Sequence, residues 1–135
     1  MIKSTIMLCA EGIVRDTESN NISVFNILEQ FTSEGFPLFI QKFYVFNYLE
    51  RELADPSQID CQVIITNNNA ELASVPIHID FLDKLRNRAI VTVNGLAILN
   101  PGRLTARMML NGVELGSYKI DVVSSRPPEI IPEHQ

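Results

Sequence analysis

Residues 102–123 read GRLTARMMLNGVELGSYKIDVV, and the fold turns on how this stretch is read. Leu104, Ala106, Met108 and Leu110 alternate with Arg103, Thr105, Arg107 and Met109, the period of two of a half-buried strand. Asn111-Gly112 follows, and both residues accept the positive φ angles of a two-residue type I′ turn. Beyond the turn Val113 and Leu115 keep the apolar parity, which then passes to Tyr118, Ile120 and Val122. A one-residue slip sends every later side chain to the other face, so the change of parity predicts a β-bulge at Gly116-Ser117. With that bulge Met108 faces Leu115, Ala106 faces Tyr118 and Leu104 faces Ile120. Arg103 then stands opposite Asp121 on the outer side, as a solvated pair worth about 0–1 kcal/mol.

The same alternation recurs upstream. Residues 4–14 form a first strand with Ile6, Leu8 and Ala10 on one face, and residues 15–21 (RDTESNN) a polar turn. Residues 22–31 (ISVFNILEQF) fit both a strand and a helical stripe; the flanking turns and β-branched residues favour one strand, followed by a loop at residues 32–35. Residues 58–66 and 71–81 are two strands joined at Asn67-Asn68-Asn69, with Pro76 restricting the second to a sheet edge or a non-bonded position. Residues 82–88 (LDKLRNR) read as a basic surface turn. Residues 89–99 (AIVTVNGLAIL) change parity at Asn94-Gly95, which predicts a kink or bulge within one long strand.

Between these lies the aromatic centre, residues 37–50 (PLFIQKFYVFNYLE). Phe36, Phe39, Phe43, Tyr44, Phe46 and Tyr48 fall within thirteen residues, and both parities are largely apolar. Stacking of two sheets covers one face of such a strand. The other calls for a helix, a loop or a partner chain, and this is the strongest hint of an interface in the sequence.

A chain of 135 residues is one domain with a single core, and 46% hydrophobic residues exclude a disordered chain. The net charge of −5 argues against a protein that binds nucleic acid through its backbone phosphates. The apolar run at the N-terminus is cut off by Glu11, too short for a secretory core or a membrane span, and no membrane partner is expected. Cys9 and Cys61 both sit in strand-like runs and read as free thiols of a reducing cytoplasm. Residues 126–135 (RPPEIIPEHQ) carry three prolines and no periodicity, which predicts a flexible tail able to add to a neighbour through Ile130 and Ile131.

Chemistry finds little support. His78 and Asp80 project to one face of a strand, as a base and its orienting carboxylate would, yet no nucleophile motif or second histidine cluster accompanies them. Asp16, Glu18 and Asn20 have the opening spacing of a calcium loop, but the sixth and twelfth positions are Asn21 and Ile27 instead of Gly and Glu. Lys84, Arg86 and Arg88 make a small basic patch able to meet an anion. Neither a phosphate loop, a dinucleotide fingerprint nor a zinc spacing occurs. No catalytic, metal or cofactor residue is therefore assigned.

Cys9-Ala10-Glu11 with Asp16, the run Asn21-Ile22-Ser23-Val24-Phe25-Asn26, and the closing pattern from Pro101 to Gly116 together resemble a bacterial family known only as a domain of unknown function. That resemblance implies a small β-sandwich in a bacterial cytoplasm and carries no site residues. The expectation is a single antiparallel β-sandwich, immunoglobulin-like or C2-like, of seven to eight strands over residues 1–125, with the tail at 126–135. Its expected role is non-enzymatic: an interaction or assembly module that pairs with another protein or itself through Phe39, Phe43, Tyr44, Phe46, Tyr48, Ile130 and Ile131. The alternative is a small-ligand or ion binder in which residues 15–21 and Asn67–Asn69 meet at one end of the sandwich.

Overall fold

A computed structural model describes residues 1–125, which form two stacked sheets and no helix. The four-stranded sheet has the order β2-β1-β4-β7, built from β1 (Lys3–Arg15), β2 (Ile22–Ile27), β4 (Leu38–Glu50) and β7 (Arg86–Ile98). The five-stranded sheet has the order β3-β9-β8-β5-β6, from β3 (Gln30–Ser33), β5 (Gln58–Asn67), β6 (Ala70–Asp80), β8 (Gly102–Leu110) and β9 (Val113–Ser124). All pairs are antiparallel except β3 with β9, which is parallel. Nine strands thus replace the expected seven to eight, and the sandwich is not wholly antiparallel.

The additional strand comes from residues 22–31, which are two strands in different sheets. Asn26, at φ 55°, kinks the last residues of β2, and its Nδ2 donates to Glu11 Oε2 at 3.1 Å; Ile27 still pairs with Ala10. Leu28 N makes the last bond to β1, at Cys9 O (2.8 Å), and Asp121 N already donates to Glu29 O at 3.1 Å in the other sheet. Leu28 drops into the core at this crossover, and Tyr118 Oη holds its carbonyl at 2.7 Å. A local pattern carries no trace of a change of sheet, which is why one strand was expected. Thr32 and Ser33, expected in a loop, belong to β3.

The closing hairpin follows its reading closely. Asn111 (φ 49°) and Gly112 (φ 79°) make the turn, and Ala106↔Tyr118, Leu104↔Ile120 and Arg103↔Asp121 pair as expected. The bulge lies one residue earlier: Met108 pairs with Gly116, Met109 with Glu114, and Leu115 is the extra residue. A side chain at Gly116 would collide with Ser4 of β1, so only glycine lets the two sheets approach there. The turn between β5 and β6 is Asn68-Asn69, both at positive φ, while Asn67 is the buried end of β5. β6, which carries Pro76, is an edge strand.

In β7 the predicted break is a kink without an inserted residue. Leu38↔Ile98 and Glu50↔Arg86 belong to one unbroken register, yet the buried residues change from Val91 and Val93 to Leu96 and Ile98 around Gly95 (φ 70°). Between the sheets Cys9, Phe43, Val45 and Leu49 meet Val63, Ile65, Met108 and Ile120. The thiols of Cys9 and Cys61 are free and buried, and burial pushes Cys9 up to about 12.

Candidate interaction surface

The two outer faces of the sandwich differ. On the five-stranded sheet the residues between the core positions are mostly polar: Asp60 and Gln62 on β5, His78 on β6, Arg107 on β8 and Ser117 on β9. On the four-stranded sheet Met7 and Cys9 point inward, so Ile6, Leu8 and Ala10 point out, paired with Tyr48, Phe46 and Tyr44. Ile90 of β7 extends this row opposite Phe46. Ile6, Val14, Phe25, Ile27, Phe39 and Ile90 are exposed on the strands of this sheet, against Val113 and Val123 on the other. The residues 6, 8 and 10 that share one face are therefore an outward set, the opposite of an ordinary core-facing first strand.

Part of this outer face is covered by the chain itself. β1 pairs with β4 only as far as Ala10↔Tyr44 and continues as a hairpin with β2. The tip of that hairpin, Ser19 to Ile22, shares a groove with Tyr48 and with Lys84, Arg86 and Arg88, at the far end of β4 and across it on β7. A flat continuation of β1 would end beside Leu38, some ten residues away along β4, so the hairpin folds back over the outer face. Ala10 (0% exposed) and Phe46 (7%) are buried yet stand apart from the main core, forming a second small apolar layer under this arm. Gly12 stands opposite Phe25 in this hairpin, and the Phe25 ring occupies the space a side chain at Gly12 would take. The second face of the aromatic strand is thus closed by an internal hairpin at its centre and left open around it.

The expected interface residues separate accordingly. Phe43 is a core residue at 1% exposure and is removed from the surface set. Phe46 lies beneath the arm. Tyr44 and Tyr48 are half-buried on the outer face, with the Lys42 ammonium 5.1 Å from the Tyr44 ring centre, and Phe39 is exposed at 68%. Ile130 and Ile131 lie outside the described residues.

The groove under the arm gathers three cations, Lys84, Arg86 and Arg88, in an acidic protein. Arg86 is held by Glu50 (Nε to Oε1, 3.1 Å), whereas the Lys84 and Arg88 cations have no carboxylate partner among the described residues. Asn20, Asn21, Leu85 and Ile22 complete its walls. The tip itself is closed by Asp16, whose Oδ1 accepts from the backbone N–H of Glu18 (2.8 Å) and Ser19 (3.3 Å). Those two donors hold its carboxyl below the usual range, and they turn it into its own loop instead of toward a cation.

His78 does not use Asp80. Its Nδ1 lies 2.7 Å from Asp60 Oδ1 on the neighbouring strand, and both side chains are exposed; Asp80 Oδ1 instead accepts from Leu82 N at 2.8 Å. Among the described residues no three His, Cys, Asp or Glu side chains are gathered as metal ligands. The two loops of the ligand-binding alternative do not meet. Asn68 and Asn69 line a separate groove with Gly102 and Arg103 at the opposite end from Lys84–Arg88. The signal that was missed was the basic triad paired with the Asn-rich tip, since their approach depends on the fold-back of the arm.

No family model matches the chain, and none of the curated proteins does. Among solved structures, an immunoglobulin-like protein from Pseudomonas aeruginosa is similar at 9% identity, over 90% of this chain and 96% of that one, with a TM-score of 0.42.

Proposed function

We propose that this chain is a non-enzymatic interaction or assembly module of a bacterial cytoplasmic system, with an immunoglobulin-like architecture, and that it works through the outer side of its four-stranded sheet. The observation that carries the reading is the contrast between the two outer faces. A free-standing sandwich keeps both outer faces polar; here one is mostly polar, and the other carries six exposed large apolar residues along its strands and a basic groove at one end. Such a combination suits a partner surface with apolar and acidic groups.

Light scattering on the full chain from about 1 µM to about 1 mM, the range of weak to moderate association, tests this. Association is expected, and it should weaken in Phe25→Lys and Ile27→Lys, which add charge to the exposed side of the arm without entering the core. A chain that stays monomeric throughout, and whose tagged form recovers no stoichiometric protein from its host, overturns the proposal.

A further inference from the structure

We propose that the groove between the arm tip and β7 receives the acidic C-terminal segment of a second copy of this chain, residues 128–133 (PEIIPE). The inference rests on the interaction-module reading above and names its partner. Three observations converge on it. The first is charge. Arg86 is already neutralised by Glu50, which leaves in the groove two cations, Lys84 and Arg88, that have no carboxylate partner among the described residues. The segment carries two carboxylates, Glu129 and Glu133, and no cation of its own. An arginine fork and a lysine ammonium are the side chains that recognise carboxylates best.

The second observation is the shape of the surfaces. Tyr48, Ile22 and Leu85 give the groove apolar walls beside its cations, and Asn20 and Asn21 add amide donors and acceptors. The segment sets Ile130 and Ile131 between its two glutamates, with Pro128 and Pro132 flanking them. Proline limits the conformations an extended segment must give up on binding, and tyrosine-lined grooves hold such segments well.

The third is reach, which selects a second copy over the same chain. Ser125 N donates to Ser33 O at 2.9 Å, at the Leu38↔Ile98 end of the sandwich. The groove lies at the Glu50↔Arg86 end, twelve residues along β4, or about 40 Å at the usual strand rise. Glu129 is four residues past Ser125 and reaches at most about 14 Å; Glu133 reaches about 28 Å. Glu129 falls well short of Lys84 and Arg88 of its own chain, and Glu133 comes within side-chain length of Arg88, ten residues along β4 from Leu38, only with every intervening residue fully extended; a copy placed alongside in the opposite sense brings both carboxylates of each segment to the other's groove without that strain.

The test uses full-length chains and a dye-labelled peptide of residues 126–135. Fluorescence anisotropy should show saturable binding to a full chain carrying Glu129→Arg and Glu133→Arg, whose own segment no longer competes. Binding should be at least about tenfold weaker to a Lys84→Glu, Arg88→Glu chain of unchanged circular dichroism, and should fall with added salt. In light scattering each double reversal should dissociate the assembly, and the four reversals combined in one chain should restore it. Equal peptide binding to both variants, or no binding at millimolar peptide, overturns the assignment. If the wild type associates, both reversals stay associated, and Phe25→Lys alone dissociates it, the segment assignment falls while the module reading stands.

Discussion

Asn67 offers the sharpest test of how this sandwich is held at its far end. The residue is 3% exposed, and its side chain makes four hydrogen bonds, three to the connection between β7 and β8 and one to the start of β8. Oδ1 accepts from Leu99 N (3.2 Å) and Asn100 N (3.0 Å), and Nδ2 donates to Asn100 O (3.1 Å) and Arg103 O (3.4 Å). Asn67→Ala removes all four and leaves two backbone N–H groups of a part-buried loop without their acceptor. A net hydrogen bond is worth about 1 kcal/mol and an orphaned buried group costs about 1–3 kcal/mol. Three bonds of 3.0–3.2 Å and one weaker bond at 3.4 Å together give a loss of about 3 kcal/mol. For a domain of this size that lowers Tm by about 10 °C. Differential scanning calorimetry reads the shift, and hydrogen exchange at the Leu99 and Asn100 amides reads the cause, since protection should be lost there first. A Tm change under about 3 °C with those amides still protected would refute the role assigned to Asn67.

Three further outcomes are expected. Tyr118→Phe removes the bond to Leu28 O that pins the crossover between sheets, and should cost about 1 kcal/mol in urea unfolding with little change in m. Cys9 has its folded pKa raised from 9.0 to about 12, so its contribution is complete below pH 9 and is lost as pH rises toward 12. Stability should fall by about 1.4 kcal/mol per pH unit for this thiol once the unfolded chain ionises; a thiol reagent at pH 8 should leave Cys9 unmodified until urea is added. Phe46→Ala empties the layer under the arm and should cost about 3–4 kcal/mol, with Tyr48 and the Asn20 and Asn21 amides shifting in NMR spectra while the main core resonances stay in place.

Much of the fold was legible because it is written in short-range patterns. Alternation over residues 104–110 and 118–122, Asn111-Gly112 and the run from Asn67 to Asn69 each carry their own steric reason, and each recurs in the structure. The bulge was placed one residue late because the apolar parity changes over Leu115–Ser117 and does not say which residue is extra. The crossover at Leu28-Glu29 is not marked in the sequence because the two halves of residues 22–31 look alike and differ only in the sheet that holds them. Spacing puts Asp80 on the same strand face as His78 but says nothing of the neighbouring strand, where Asp60, eighteen residues upstream, is the group that meets the ring.

The site divides along the same line. The aromatic run and the Lys84, Arg86, Arg88 triad were visible as residue types, and the sequence alone determined that this is a strand-built domain. Tertiary structure alone decided that Phe43 is core, that Phe46 lies under a folded-back arm, and that the basic triad faces Asn20 and Asn21. The reason is physical: strand period and turn geometry are settled by neighbours within a few residues, whereas which face meets water depends on the free energy of burial against elements dozens of residues away.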